Sequence, residues 1–179
     1  MIPAHETEIA IRVRTINQLF NTLDPSPFRE KDLDPGVEEF LVGWVRELAP
    51  NSPFRIVVHL ASEEAAKPEA QEISAGFTHY FRYRMQASMR ELRELLRIGW
   101  RSLMIGVAVL IVCLVASQIG AKAFPDATWA RVVEESLIIV GWVANWRPIE
   151  IYLYEWWPIA RRIRLYRRIA AAHVVVKAG

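Results

Sequence analysis

The chain has 179 residues, enough for one small soluble domain beside a membrane segment and too few for two full-sized soluble domains. Apolar residues make up 53% and charged residues 23%, and the two are segregated: residues 102–121 carry no charge, while residues 82–101 hold six arginines under a net charge of only +2. The single cysteine, Cys113, lies in the uncharged run and excludes an intrachain disulfide framework.

From Thr7 the sequence TEIAIRVR alternates, with Ile9, Ile11 and Val13 on one face and Glu8, Ala10, Arg12 and Arg14 on the other, the period of a half-buried strand. The beginning, MIPAHETEIAIRVRT, lacks the basic start and short apolar core of a secretory signal, which places the first domain in the cytoplasm. A loop with three prolines follows, NTLDPSPFREKDLDPG. It closes on Asp34 as N-cap and Pro35 as first helical residue, where the missing N–H costs nothing. Val37, Phe40, Leu41, Trp44, Val45 and Leu48 then repeat at helical spacing, with Glu38, Glu39, Arg46 and Glu47 opposite. Pro50 and Pro53 end that helix, and FRIVVHL reads as an apolar strand. Strand, helix, strand predicts a βαβ unit with parallel strands.

Two strands and one helix do not make a self-sufficient core. Either HVVVK (173–177) returns as a third strand, or a second copy completes the sheet in a homo-oligomer. After the polar connector ASEEAAKPEAQE, no proline interrupts residues 69–120, which predicts one long helix, amphipathic first and wholly apolar later, with a bend near Gly99.

Residues 102–121 span about 30 Å as a helix, the thickness of a bilayer core. Ser102, Gly106, Cys113, Ser117 and Gly120, with Gly141 later, form a small-residue face for close helix packing. The connector 122–131 contains a Pro125–Asp126 turn. A second span over 132–157 carries the intramembrane polar candidates Glu134, Glu135, Asn145, Arg147 and Glu150, with Pro148 predicting a kink and Arg147 three residues from Glu150 on one helical face. These groups either line an ion path or sit in interfaces and helix contacts. Arg90, Arg93, Arg97 and Arg101 before the first span, and Arg161, Arg162, Arg164, Arg167 and Arg168 after the second, suit anionic lipid headgroups and place both termini inside by the positive-inside rule. Residues 158–179 read as a basic interfacial helix, or one packed on the first domain, followed by the strand candidate.

No GxG, P-loop, HExxH or CxxC spacing occurs, and the four histidines (5, 59, 79, 173) stand far apart, so no catalytic residue, cofactor or metal ligand set is expected. The run HYFRYR (79–84) has the composition of a nucleic-acid contact, but membrane proximity accounts for its arginines and no nucleic-acid partner is expected. The expectation is an α+β membrane protein: a cytoplasmic α/β domain (1–62), a juxtamembrane amphipathic helix (63–101) and a two-helix transmembrane hairpin (102–121 and 132–157). Such a protein acts as a homo-oligomeric scaffold, assembly or regulatory subunit of a bacterial inner membrane, with an unknown protein partner. The alternative is an oligomeric channel or transporter with its path between second helices.

Overall fold

The computed structural model describes residues 7–21, 23–25, 27, 31–50, 52–123 and 128–179. The chain divides into two units, Met1–Ser88 with Arg161–Gly179, and Met89–Ala160. It is a mixed helix and strand protein with one small parallel sheet and one long apolar helix.

In the first unit the strands are β1 (Thr7–Arg12), β2 (Phe54–Leu60) and β3 (His173–Ala178), in the order β1-β2-β3 and parallel throughout. The C-terminal run is therefore the third strand. Pairing puts Ile9, Ile56 and Val174 in one row and Ile11, Val58 and Val176 in another, on the face that carries the core. Helix α1 (Pro35–Glu47) begins as the sequence predicts: the Asp34 carboxylate accepts from the Gly36 N–H at 2.8 Å, and Pro35 occupies the first turn. Its Leu41 and Val45 are fully buried against the sheet. The loop before it is pinned by an antiparallel bridge between Phe20 and Leu33, and the Asn21 N–H donates to the Asp32 carbonyl at 2.8 Å.

A short helix, α2 (Ser62–Ala65), leads to α3 (Pro68–Ala123), whose 56 residues contribute to both units. Ile73, Phe77 and Phe81 of its first half complete the core. Each such side chain removed from water contributes about 1.5–3 kcal/mol. Helix α3 continues unbroken through Gly99, where the sequence predicts a bend.

The remaining helices are α4 (Thr128–Val143), α5 (Trp146–Glu150), a π-helical turn (Ile151–Glu155) and α6 (Trp156–Ala170). The part of α6 beyond Arg161 belongs to the first unit, where Tyr166 and Ile169 join the core and Ile163 is buried. Among the described residues one helix, Pro68–Gly120, is long and apolar enough to cross a membrane. The predicted second span, 132–157, is divided among α4, α5, the π turn and the start of α6. The break falls at Ala144 and Asn145, three residues before Pro148, and not at the proline itself. Restarting there puts Pro148 in the first turn of α5, where no intrahelical acceptor is left waiting for its absent N–H. The predicted Pro125–Asp126 turn lies outside the described residues.

Candidate functional site

Within the second unit, the C-terminal half of α3 packs closely on α4, and the contacts ascend one helix as they descend the other. Gly106 lies against Ala144 and Asn145; a Cβ added there would meet Asn145 Oδ1 at 2.7 Å and the Ala144 carbonyl oxygen at 2.9 Å. At Gly141 it would meet Leu110 Cδ1 at 2.7 Å and Cys113 Cβ at 3.5 Å. Hydrogen is the only substituent these approaches admit without movement. Cys113 and Ser117 are buried, and Ser102 is half-buried. Gly120 has open space at its Cβ position and borders a shallow cleft with Ala116, Trp129, Val133 and Glu134. Gly99 extends the stripe, since a Cβ there would meet Ile151 Cγ2 at 2.9 Å. Gly99, Gly106, Cys113 and Gly120 recur every seventh residue, the repeat that keeps one seam facing a partner helix. That repeat is visible in the sequence, and the approach to Ile151 makes Gly99 a packing residue.

Asn145 is the polar group the seam encloses. It is 9% exposed, and its Nδ2 donates to the carbonyls of Gly106 at 3.1 Å and Gly141 at 2.9 Å, tying the two helices together. The side chain donates once across the seam and once back to α4, and does not cap α5. Pro148 cannot donate to the Ala144 carbonyl one turn back, and this carbonyl is the one that abuts Gly106. A proline and a glycine far apart in sequence therefore serve one contact.

Arg147 and Glu150, three residues apart on one helical face, form an ion pair at 3.1 Å that Glu155 joins. Eight residues separate Arg147 from Glu155, and the intervening π turn widens the helical path between them. Glu134 is half-buried in the cleft with Ser117 and Leu137, whereas Glu135 is exposed. The five polar candidates thus do not converge: Asn145 belongs to the seam, Arg147 and Glu150 to the ion-pair layer, Glu134 to the cleft.

The arginines behave differently in the two units. Arg93, Arg97 and Arg101 are exposed in the second, and Arg90 is exposed there with a partner of its own. In the first, Arg161, Arg162, Arg164 and Arg167 are exposed, but Arg168 is half-buried. Its Nη2 donates to the carbonyls of Ala49 at 3.1 Å and Ser52 at 3.3 Å, and its guanidinium lies 5.6 Å from the Phe54 ring centre. Arg168 is thereby part of the α/β unit's own structure.

A polar cluster absent from the sequence expectations joins three helices of the first unit. The Glu38 carboxylate of α1 accepts from Tyr80 Oη at 2.6 Å, Arg84 Nε at 3.0 Å and Tyr166 Oη at 2.9 Å. Arg84 reaches the same carboxylate through Nη2 at 2.8 Å, and its guanidinium lies 6.0 and 5.6 Å from the Tyr80 and Tyr166 ring centres. Burial, then the bond to Glu38, raises the Tyr80 phenol far above its usual range. Tyr166 is raised chiefly by burial as well. Every strong group here is matched by another from the chain, which describes a clasp and not an open binding pocket. Among the described residues no group of three or more metal-ligating side chains comes together.

The opposite face of the sheet carries the rows Glu8, Arg55, His173 and Arg12, His59, Lys177, with Ala10, Val57 and Val175 between them. Glu8 pairs with Arg55, and the Arg55 bond and charge, with Lys177 and His59 nearby, hold its carboxyl below the usual range. Comparison with protein-family models, with curated proteins and with solved structures finds no match to this chain.

Proposed function

We propose that the chain is a non-enzymatic integral membrane protein, an oligomeric membrane-anchored scaffold, assembly or regulatory subunit with its α/β unit and both termini in the cytoplasm. The observation that carries this reading is the outward-facing apolar surface of the second unit. Ile105 and Val112 on α3, and Trp142 and Val143 on α4, are each about two-thirds exposed, and only 17% of the apolar window of α3 is buried. In water such a surface drives aggregation; in hydrocarbon it is matched.

The 16 residues of α4 supply about 24 Å of helix, and α5 with the π turn extends this past the 30 Å a bilayer core needs, giving a two-helix hairpin. The Asn145 bonds suit that setting, because hydrocarbon leaves its amide no water to bond. The flanking arginines then meet anionic headgroups on the cytoplasmic side.

The test is extraction and topology. The protein should remain in membranes washed with alkaline carbonate, and a reporter cysteine replacing Lys122 should react with an impermeant reagent from outside, while one replacing Glu47 reacts only after permeabilisation. Release into the wash, or the reverse labelling pattern, overturns the reading. The half-buried Glu134 in its cleft favours the second reading, an oligomeric channel. Ion flux through liposomes that falls on Glu134→Gln would support it, and absence of flux would remove it.

A further inference from the structure

Two polar side chains of the second unit line one cleft without a bond to each other or to any other described residue. Glu134 is half-buried there, and no hydrogen bond or ion pair from a described residue reaches its carboxylate. Ser117 is 5% exposed, and its hydroxyl also lacks a partner among the described residues. Asn145, enclosed further along the same seam, differs in giving its amide hydrogens to two carbonyls. Withdrawing a carboxylate from water without a partner is costly, so the group this cleft lacks is a cation. Its remaining walls are aromatic and apolar, with Trp129, Ala116, Val133 and Leu137 among them.

The chemistry of the walls selects the kind of cation. A divalent metal takes six or more oxygen ligands, whereas the cleft offers one carboxylate and one hydroxyl, and no group of three metal-ligating side chains forms among the described residues. A primary ammonium fits better, since its three N–H donors can go to the carboxylate, the hydroxyl and water. An indole attracts the same charge through its ring, and the apolar walls suit the carbon chain that carries the nitrogen. The packing register shows which end of the hairpin this is. Gly106 lies against Asn145 and Gly141 against Leu110 and Cys113, so a cleft lined by residues 116–120 and 129–137 is at the connector end. The uncharged run of α3 stops at Ala121, which puts the cleft at the outer edge of the hydrocarbon core in the topology proposed above. Arg131 is exposed three positions before Glu134, one helical turn nearer the headgroups, and has no ion pair with a described residue.

We propose that this cleft binds the primary ammonium of an aminophospholipid in the outer leaflet, with Glu134 and Ser117 on the ammonium and Arg131 on the phosphate. The two charges of such a headgroup have opposite signs, and so do the two side chains that meet them. A quaternary ammonium has no N–H to give and loses both bonds, so the site distinguishes ethanolamine from choline headgroups. This inference rests on the membrane placement and orientation in the function proposed above.

The test is native mass spectrometry of the full chain in detergent, titrated with phosphatidylethanolamine and with phosphatidylcholine of the same acyl chains. Wild type should bind the first about tenfold more tightly, the effect of one charge-assisted hydrogen bond. Glu134→Gln should abolish that preference and Ser117→Ala should reduce it, whereas Glu135→Gln, exposed and outside the cleft, should keep it. Gel filtration checks that each variant is folded. Equal binding of the two lipids by wild type, or a preference that survives Glu134→Gln, overturns the inference. Ethanolamine alone should give no comparable adduct; equal occupancy would assign the site to a soluble amine and overturn the lipid as ligand. A drop in oligomer mass on Glu134→Gln would assign the carboxylate to a cation of a second copy and overturn it too. Release from carbonate-washed membranes removes the placement beneath, whereas a carbonate-resistant protein that does not distinguish the two headgroups removes this inference alone.

Discussion

Replacing Glu38 by Gln tests whether its cluster fastens α6 to the rest of the α/β unit. The carboxylate accepts from Tyr80, Arg84 and Tyr166 with only 14% of its side chain exposed. Glutamine keeps the shape but presents one NH2 where an oxygen accepted: turned to Tyr80 it gives up the bond that hydroxyl donates, turned the other way it gives up those of Arg84 and Tyr166, and in either case Arg84 loses its opposite charge. Breaking a fully buried pair costs about 3–5 kcal/mol. Arg84 is 43% exposed and can turn to water, which lowers the expected cost to about 2–3 kcal/mol. At 1.4 kcal/mol per tenfold, local opening becomes roughly 30- to 150-fold more frequent. Amide hydrogen exchange followed by mass spectrometry reads this directly in peptides covering α6 and the middle of α3. The exposed neighbour substitution Glu39→Gln serves as control. Unchanged α6 protection in Glu38→Gln, or the same loss in the control, would refute the clasp.

Other consequences are as direct. A cysteine at Gly141 would place its Cβ near that of Cys113, within the range a disulfide spans, so Gly141→Cys should form an intrachain bond on mild oxidation, seen as a faster gel species and a loss of two mass units. Gly120→Cys, whose Cβ meets nothing within 4 Å, serves as control; no bond at position 141 means the helices do not pack this way. Adding Gly106→Val to the Gly141→Cys variant should lower the yield of that bond, because the new side chain wedges against Asn145 and Ala144. Tyr80 supplies a pH prediction: its folded pKa is raised, so its contribution is complete below the unfolded phenol value of about 10 and is lost as pH rises beyond it. Unfolding followed at 295 nm above pH 10 should therefore be less steep in pH for Tyr80→Phe than for wild type, and equal slopes would contradict the assignment.

The strand pattern of TEIAIRVR, the Asp34–Pro35 start of α1 and the β-branched run at 173–177 were legible because each signal is local: an alternation, a cap, a composition. The Glu38 cluster was not, since Glu38 lies on the charged side of α1 and its partners stand 42, 46 and 128 positions away. The apolar stripe of α6 was ambiguous for another reason. The spacing that buries Ile163, Tyr166 and Ile169 is the same whether the covering surface is lipid or protein, and here the core of the first unit supplies it for Tyr166 and Ile169. Pro148 announced an irregularity but not its place; the helix broke where Asn145 gained two carbonyl partners, Gly106 across the seam and Gly141 one turn back. Glu155 escaped notice as a partner of Arg147 because an α-helical count of three or four residues does not connect them.

The third strand and the Tyr166 hydroxyl give the α/β unit a timetable. Tyr166 meets Glu38 across 128 positions, and β3 docks on β2 only after all the intervening helices have been made. Until then β2 has a strand on one side alone and its apolar rows lack a neighbour, a state open to mispairing during synthesis at about 5–20 residues per second. The apolar helices therefore leave the ribosome while the sheet is still unfinished. If they enter a bilayer, that insertion happens before the sheet can close, so a failure in the membrane would be recorded as an α/β unit that never matures.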